Sequence, residues 1–238
     1  MDKSVKIANI IKGIAQVVVL VVTVICLCLT FQNAYYSFVY IDGDSMNPNL
    51  KNGEYGLVDK HSFAIDSLKR FDIVITYYPN PYDNGTKYDY CYVDGGSETK
   101  TNFLDPDHNV VLSKYANYKV KRVVALPGDQ FTLQQDTITV RRKTSKNNWG
   151  EWIIYNLPYT HTGTIEKTND EPITLEKDEY WVIGDNWEAS TDSAALNQRI
   201  YRKNIQGVLV GIEGTCQVDK DGKAINKKKY PSIRYVKR

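Results

Sequence analysis

The chain has 238 residues, 42% of them apolar, with 30 Lys and Arg against 28 Asp and Glu for a net charge of +2. That length supports one sizeable core, and a charged fraction of 24% with 18 tyrosines excludes a disordered or collagen-like chain. Residues 1–12 hold Lys3, Lys6 and Lys12 against Asp2, so the whole excess sits at one end and no nucleic-acid partner is expected.

Residues 13–31, from Gly13 to Phe31, carry no charge. As a helix this run spans about 28 Å, close to the ~30 Å hydrocarbon layer of a bilayer. It is apolar on all faces, whereas a soluble helix is normally amphipathic. It also exceeds the ~7–15 residues of a cleavable signal's apolar core, and Tyr35-Tyr36 follow where small residues would mark a cleavage site. A retained single-pass anchor is therefore expected, rather than a buried helix or a removed signal. Lys3, Lys6 and Lys12 place residues 1–12 in the cytoplasm and the remainder outside the cell membrane, with Tyr35, Tyr36, Phe38 and Tyr40 as interfacial aromatics.

Beyond the anchor, stretches rich in Val, Ile, Tyr and Thr predict strands at 37–42, 55–59, 72–78, 119–126, 137–141, 152–156, 180–183 and 207–212. Turn formers such as Asn52-Gly53, Pro127-Gly128-Asp129 and Gly184-Asp185-Asn186 separate them. Outside the membrane, a turn of helix is expected only near 194–202. The fold class is mostly β: an antiparallel β-sheet domain over residues 32–218 behind an N-terminal single transmembrane helix. Residues 79–117 are polar and read as an insertion, with Asn84-Gly85-Thr86 matching a glycosylation sequon. Residues 219–238 read as a basic tail of net charge +6, either solvated or in contact with anionic lipid. Cys26 and Cys28 lie in the span as small apolar groups. Cys91 and Cys216 have no spacing motif, which leaves their pairing open. His61, His108 and His161 are far apart and read as surface residues, and no cofactor or metal is expected.

Four motifs carry chemistry. Gly43-Asp44-Ser45-Met46-Asn47-Pro48-Asn49-Leu50 closes the first strand, and Lys69-Arg70-Phe71-Asp72-Ile73-Val74 opens another. Lys119-Val120-Lys121-Arg122-Val123-Val124-Ala125-Leu126-Pro127-Gly128-Asp129 and Gly184-Asp185-Asn186-Trp187-Glu188-Ala189-Ser190-Thr191-Asp192-Ser193 follow. Singly, each has an ordinary reading: a turn serine, a charged strand edge, a solvated lysine, a polar loop. In this order behind an anchor, they make the chain resemble bacterial type I signal peptidases over roughly residues 7–213.

The resemblance implies a membrane-anchored serine endopeptidase that removes signal peptides from secreted preproteins after small-x-small sites. Position by position, it makes Ser45 the nucleophile and Lys121 the general base. It makes Ser190 the residue that orients the lysine, and Asp185 and Asp192 acidic supports. The Ser45 backbone N–H would hold the oxyanion, and Gly43 stands where some members add a hydroxyl donor. Val39, Ile41, Met46, Leu50 and Val120 would line shallow pockets for small side chains. The chemistry agrees, because a serine needs a base to attack an amide, and a lysine serves only when uncharged, a state that burial favours. Asn49 replaces the family's threonine, Phe71 a glycine and Ala194 an arginine, the last depriving Asp192 of its usual partner. A divergent, specialised, monomeric enzyme is expected. A catalytically silent relative acting as a membrane assembly factor for surface structures would more naturally lack Ser45 or Lys121. A self-cleaving Ser–Lys repressor would need a DNA-binding module and no span.

Overall fold

The computed structural model describes residues 3–76, 78–79, 91–92, 119–134, 137–145, 147–164, 171–218 and 224–236. It divides into two units, Met1–Ser37 and Phe38–Arg238. The first is built on helix α1 (Lys3–Tyr35). Within it, Asn9–Phe31 has a mean hydropathy of 2.8 over 23 residues, long and apolar enough to cross a membrane. Its Val, Ile and Leu side chains are exposed all round. Thr23 and Thr30 donate their hydroxyls to the carbonyls of Val19 and Cys26, each at 2.8 Å. Both polar groups are thus satisfied inside the helix, as a water-free medium requires.

The second unit is a β structure. Its elements run β1 (Tyr36–Tyr40), β2 (Glu54–Asp59), α2 (Ser62–Asp66), β3 (Ile73–Thr76), β4 (Tyr78–Pro79), β5 (Cys91–Tyr92), β6 (Lys119–Ala125) and β7 (Asp129–Gln134). Then come β8 (Thr137–Arg142), β9 (Ile153–Asn156), β10 (Ile173–Thr174), β11 (Glu179–Ile183), α3 (Ser193–Leu196), β12 (Ile200–Tyr201), β13 (Ile205–Val218) and β14 (Ala224–Tyr235). The large sheet has the order β1-β2-β13-β3-β6-β11-β12, with β14 also on β13; a second sheet has the order β10-β7-β8-β9, and β4 pairs with β5. Strand β6 runs antiparallel to both neighbours, Val74 of β3 facing Lys121 and Ile183 of β11 facing Arg122.

Strand β11 and the second half of β6 are buried on both faces, which is why Tyr180-Trp181-Val182-Ile183 and Val123-Val124-Ala125 read as apolar runs. Alternation sorts their side chains into two clusters. Val124, Trp181 and Ile183 pack with Phe131, Leu133 and Ile138 of the small sheet. Val123, Tyr180 and Val182 pack with Ile65, Leu68, Ile205 and Val208. A third cluster joins Ile41, Met46 and Leu50 to Val58, Ile73, Ile75, Leu209 and Ile212. Each fully buried side chain of this kind contributes about 1.5–3 kcal/mol, so residues on both sides of Ser45 are fastened to the core.

All the predicted strand regions contain strands, with shifted ends. Strands β5, β7, β10, β12 and β14 are additional. The stretch read as a basic tail forms β14 over most of its length, paired with β13 from Gly211↔Tyr235 to Val218↔Ala224. Its side chains are mostly exposed, so the backbone ladder rather than an apolar stripe makes it a strand. Lysines on such an edge discourage further pairing. Of the insertion at 79–117, only Pro79 and the β5 residues are described; Asn84-Gly85-Thr86 and His108 lie outside the described residues. Cys216 is a buried free thiol, and the side chain of Cys91 lies outside the described residues.

Candidate active site

The turn after β1 presents Ser45. Gly43 enters it with φ +92°, a left-handed conformation that favours glycine. The amides of Asn47 and Leu50 donate to the carbonyls of Asp44 (3.0 Å) and Met46 (2.9 Å). Met46 and Leu50 are each 1% exposed, so these two side chains pin the turn while Ser45, just before Met46, stays half-buried. The loop after β11 holds the same turn from the other side. The Asn186 amide donates to the Ser45 carbonyl at 3.0 Å, and the Asn186 side chain donates to the Asp44 carbonyl at 3.1 Å. Gly184 allows this close approach: a Cβ there would overlap both the Ser45 carbonyl and Ser190 Oγ.

Lys121 reaches the turn from β6. It is 2% exposed, and its Nζ lies 2.7 Å from Ser45 Oγ. Arg122, the next residue, points to the opposite face, as strand geometry requires. Its Nε and Nη2 donate to the two oxygens of Asp185 at 2.8 and 2.6 Å, and its Nη1 donates to the Phe71 carbonyl at 2.9 Å. Its guanidinium also lies 4.1 Å from the centroid of the Tyr159 ring. Asp185 is fully buried. Burial pushes its carboxyl above the usual range, opposed by the bonds and charge of Arg122, by Asn49 and by Lys121. Burial likewise pushes the Tyr159 hydroxyl well up.

The other expected supports are placed less uniformly. Asp192 accepts from the amides of Gly184 (2.9 Å), Ala194 (3.0 Å) and Ala195 (3.2 Å). It thereby caps α3 and fixes Gly184: with Ala194 where the family has its arginine, backbone donors satisfy the Asp192 carboxylate. Ser190 Oγ is buried with no hydrogen-bond partner. The bond expected from it to Lys121 is therefore not made in this structure, and its hydroxyl packs at Gly184 instead. Asn49 donates to the Asp185 carboxylate at 2.8 Å and to the Thr160 carbonyl, tying the serine turn to the ion pair.

Phe71 has φ +75°, the left-handed region in which a glycine is unstrained. Its ring is buried, 5.9 Å from that of Tyr159. Phe71→Gly is expected to relieve about 1 kcal/mol of backbone strain while losing more in packing. The net change should be destabilising by roughly 2 kcal/mol, read as a lower urea midpoint at unchanged slope.

Ser45 and Lys121 border a hollow of about 220 Å³. Of the expected wall residues, Ile41, Met46 and Val120 line it, and Gly43 stands at its edge. Val39 and Leu50 do not: Val39 packs against the third core cluster, and Leu50 is part of that cluster. Leu50 instead borders a second hollow of about 430 Å³, shared with Arg122, Tyr159 and Arg234. Tyr40, Asp42, Asp44 and Lys119 also line the smaller hollow, as do Ala189 and Thr191. Sequence reasoning misses Ala189 and Thr191, along with Asn186 and the Arg122–Asp185 pair. All lie within the quoted motifs, but their contacts cross long stretches of chain. His161, read as a surface residue, is stacked on Trp187 with ring centroids 3.8 Å apart.

The family model described as signal peptidase, peptidase S26, matches residues 14–212, so β14 lies beyond the match. Signal peptidase I P of Bacillus subtilis subsp. natto is 29% identical over 202 residues, covering 84% of this chain and 87% of that protein. Signal peptidase I V of Bacillus subtilis strain 168 is 28% identical over 191 residues, 79% of this chain and 92% of that one. Signal peptidase IB of Staphylococcus aureus strain N315 is 27% identical over 165 residues, 66% of each. A crystal structure of a signal peptidase I from Enterococcus faecalis V583 shares 17% identity over 60% of this chain and 97% of its own, with a TM-score of 0.32.

Proposed function

The chain belongs to the signal peptidase S26 family and is a signal peptidase I hydrolase, and on that premise we propose that it cuts preproteins through Ser45 as nucleophile and Lys121 as general base. The observation that carries this reading is the 2.7 Å separation of Lys121 Nζ and Ser45 Oγ, with the lysine almost fully buried. Desolvation disfavours an ammonium, and only an uncharged lysine accepts a proton.

In the acylation step, Ser45 Oγ bonds to the carbonyl carbon of the scissile peptide while its proton passes to Lys121 Nζ. The Ser45 backbone N–H faces the developing oxyanion, and Gly43 supplies no side-chain donor. The C–N bond then breaks, and Lys121 returns its proton to the leaving amine of the mature protein. The signal peptide remains as an ester on Ser45. Water, deprotonated by the same lysine, releases it. Asp185, Asp192 and Ser190 support the loop that carries Gly184 and Asn186. No cofactor enters this scheme.

The side chains at the smaller hollow suit a substrate with small groups beside the scissile bond. Ile41, Met46 and Val120 form its apolar part and Ala189 and Thr191 are short, while Tyr40, Asp42, Asp44 and Lys119 also border it. Cleavage after small-x-small sites, which the family resemblance implies, is the specificity proposed. Helix α1 serves as the anchor, and Lys3, Lys6 and Lys12 before it orient the catalytic unit outward. The enzyme acts as a monomer on its preproteins at the bilayer surface. A preprotein panel tests the pocket. With Ala at positions −1 and −3, cleavage should be fast; with Leu at either position it should fall about 10²-fold, the scale on which an apolar pocket discriminates. Equal rates for Ala and Leu would contradict the pocket reading.

A further inference from the structure

We propose that Arg234, in the C-terminal strand β14, is a positioning residue for the nucleophile: it straps the Ser45 turn to β14 and holds Ser45 at its working distance from Lys121. The proposal rests on the dyad reading above and adds to it an element outside the matched family region.

The turn is closed at its base by backbone bonds between Ile41 and Glu54 (2.8 Å) and between Gly53 and Ile41 (2.9 Å). Its far side, at Pro48 and Asn49, borders the larger hollow, while Leu50 is buried in the core. Arg234 spans this gap. Its Nη1 donates to the Asn49 carbonyl at 2.7 Å, and its Nη2 donates to Glu54 Oε2 at 2.6 Å. Glu54 is 3% exposed, and its other oxygen accepts from the Tyr230 hydroxyl of the same strand at 2.9 Å. Glu54 Oε2 also accepts from the Lys51 amide at 2.9 Å. One planar guanidinium therefore bonds both to the turn and to the start of β2, a two-point grip suited to its fixed fork.

The strap leads to the reacting atoms by a short path. Asn49 is gripped by Arg234 at its carbonyl and by Asp185 at its side chain. The Asn49 and Leu50 amides both donate to the Met46 carbonyl, at 3.1 and 2.9 Å, and Met46 adjoins Ser45. A shift of Asn49 is thereby passed to the nucleophile. A misplacement of about 1 Å is enough to cost as much as 10²-fold in rate. Because β14 carries little buried side-chain surface of its own, its contribution lies in this grip rather than in the core.

Full-length Arg234→Gln, Arg234→Lys and Lys228→Gln test the strap, assayed well below their unfolding midpoints. Lys228 is an exposed residue of the same strand and matches the charge lost. Arg234→Gln should lower kcat about tenfold with KM within about twofold. It should also speed hydrogen exchange in a peptide covering residues 44–53. Arg234→Lys should fall between it and wild type, and Lys228→Gln should match wild type in both readouts. Unchanged kcat or unchanged exchange in Arg234→Gln overturns the proposal, as does equal loss in Lys228→Gln. Should wild type cleave no preprotein, the dyad reading fails, and exchange alone decides whether Arg234 holds the turn.

Discussion

Ser45→Ala, Lys121→Ala and Lys121→Arg should each lower preprotein cleavage by about 10³-fold or more, with folding retained. The serine variant loses the atom that forms the new bond, and the alanine at 121 loses the proton acceptor, a loss typically of 10²–10⁴-fold. Lys121→Arg is the most discriminating of the three. It keeps the positive group and much of the length, but a guanidinium does not give up its proton at working pH. A lysine needed only for charge or packing would tolerate that change. One needed as a base would not. Cleavage rates, with thermal midpoints recorded in parallel, separate the two, and substantial activity in Lys121→Arg would count against a base at this position.

Arg122→Met should destabilise the fold by about 3–5 kcal/mol, because it strands the Asp185 carboxylate in the interior. Both members of that pair are almost inaccessible, and Arg122 makes three side-chain hydrogen bonds that methionine cannot replace. Urea unfolding of the detergent-solubilised protein reads the loss. The double variant Arg122→Met/Asp185→Leu should recover part of it, since no unpaired charge then remains. The pH dependence has a definite sign. Burial already holds the Asp185 carboxyl above its ordinary value, and losing Arg122 removes the group that opposes this. The folded form then binds the proton more readily than the unfolded chain does. The deficit of Arg122→Met should therefore shrink as pH falls through the folded-state value and reach its full size above it. A deficit of under about 1 kcal/mol would show that the pair contributes little.

Much of this structure is legible in the chain. The uncharged run at 13–31 and the apolar stretches Val123-Val124-Ala125 and Tyr180-Trp181-Val182-Ile183 announce α1, β6 and β11, because length and continuous hydrophobicity have few alternative uses. Strand β14 is not legible. Lys227-Lys228-Lys229-Tyr230-Pro231 shows no alternation, and the strand is held by its ladder to β13. At the site, motif order points to Ser45 and Lys121, but nothing local reveals that β6 brings them to 2.7 Å. The placement of Leu50 shows the same limit. An apolar residue near a nucleophile suits a pocket wall and a core equally, and only the surrounding Val58, Ile73 and Leu209 settle it in the core. The departures at Asn49, Phe71 and Ala194 look like damage in one dimension. In three, Asn49 finds Asp185, the Phe71 ring packs in the core beside Tyr159, and Asp192 finds backbone donors. Phe71 still keeps a left-handed backbone that a glycine would hold without strain.

During turnover Ser45 should become covalently attached to the signal peptide, with Lys121 as its base. Acid-quenched turnover of a preprotein, followed by mass spectrometry of the enzyme, tests it directly. An adduct with the mass of the signal peptide acyl group is expected on the proteolytic fragment containing Ser45, absent from Lys121→Ala and Ser45→Ala. Efficient cleavage by Ser45→Ala, or an adduct on another residue, would contradict it.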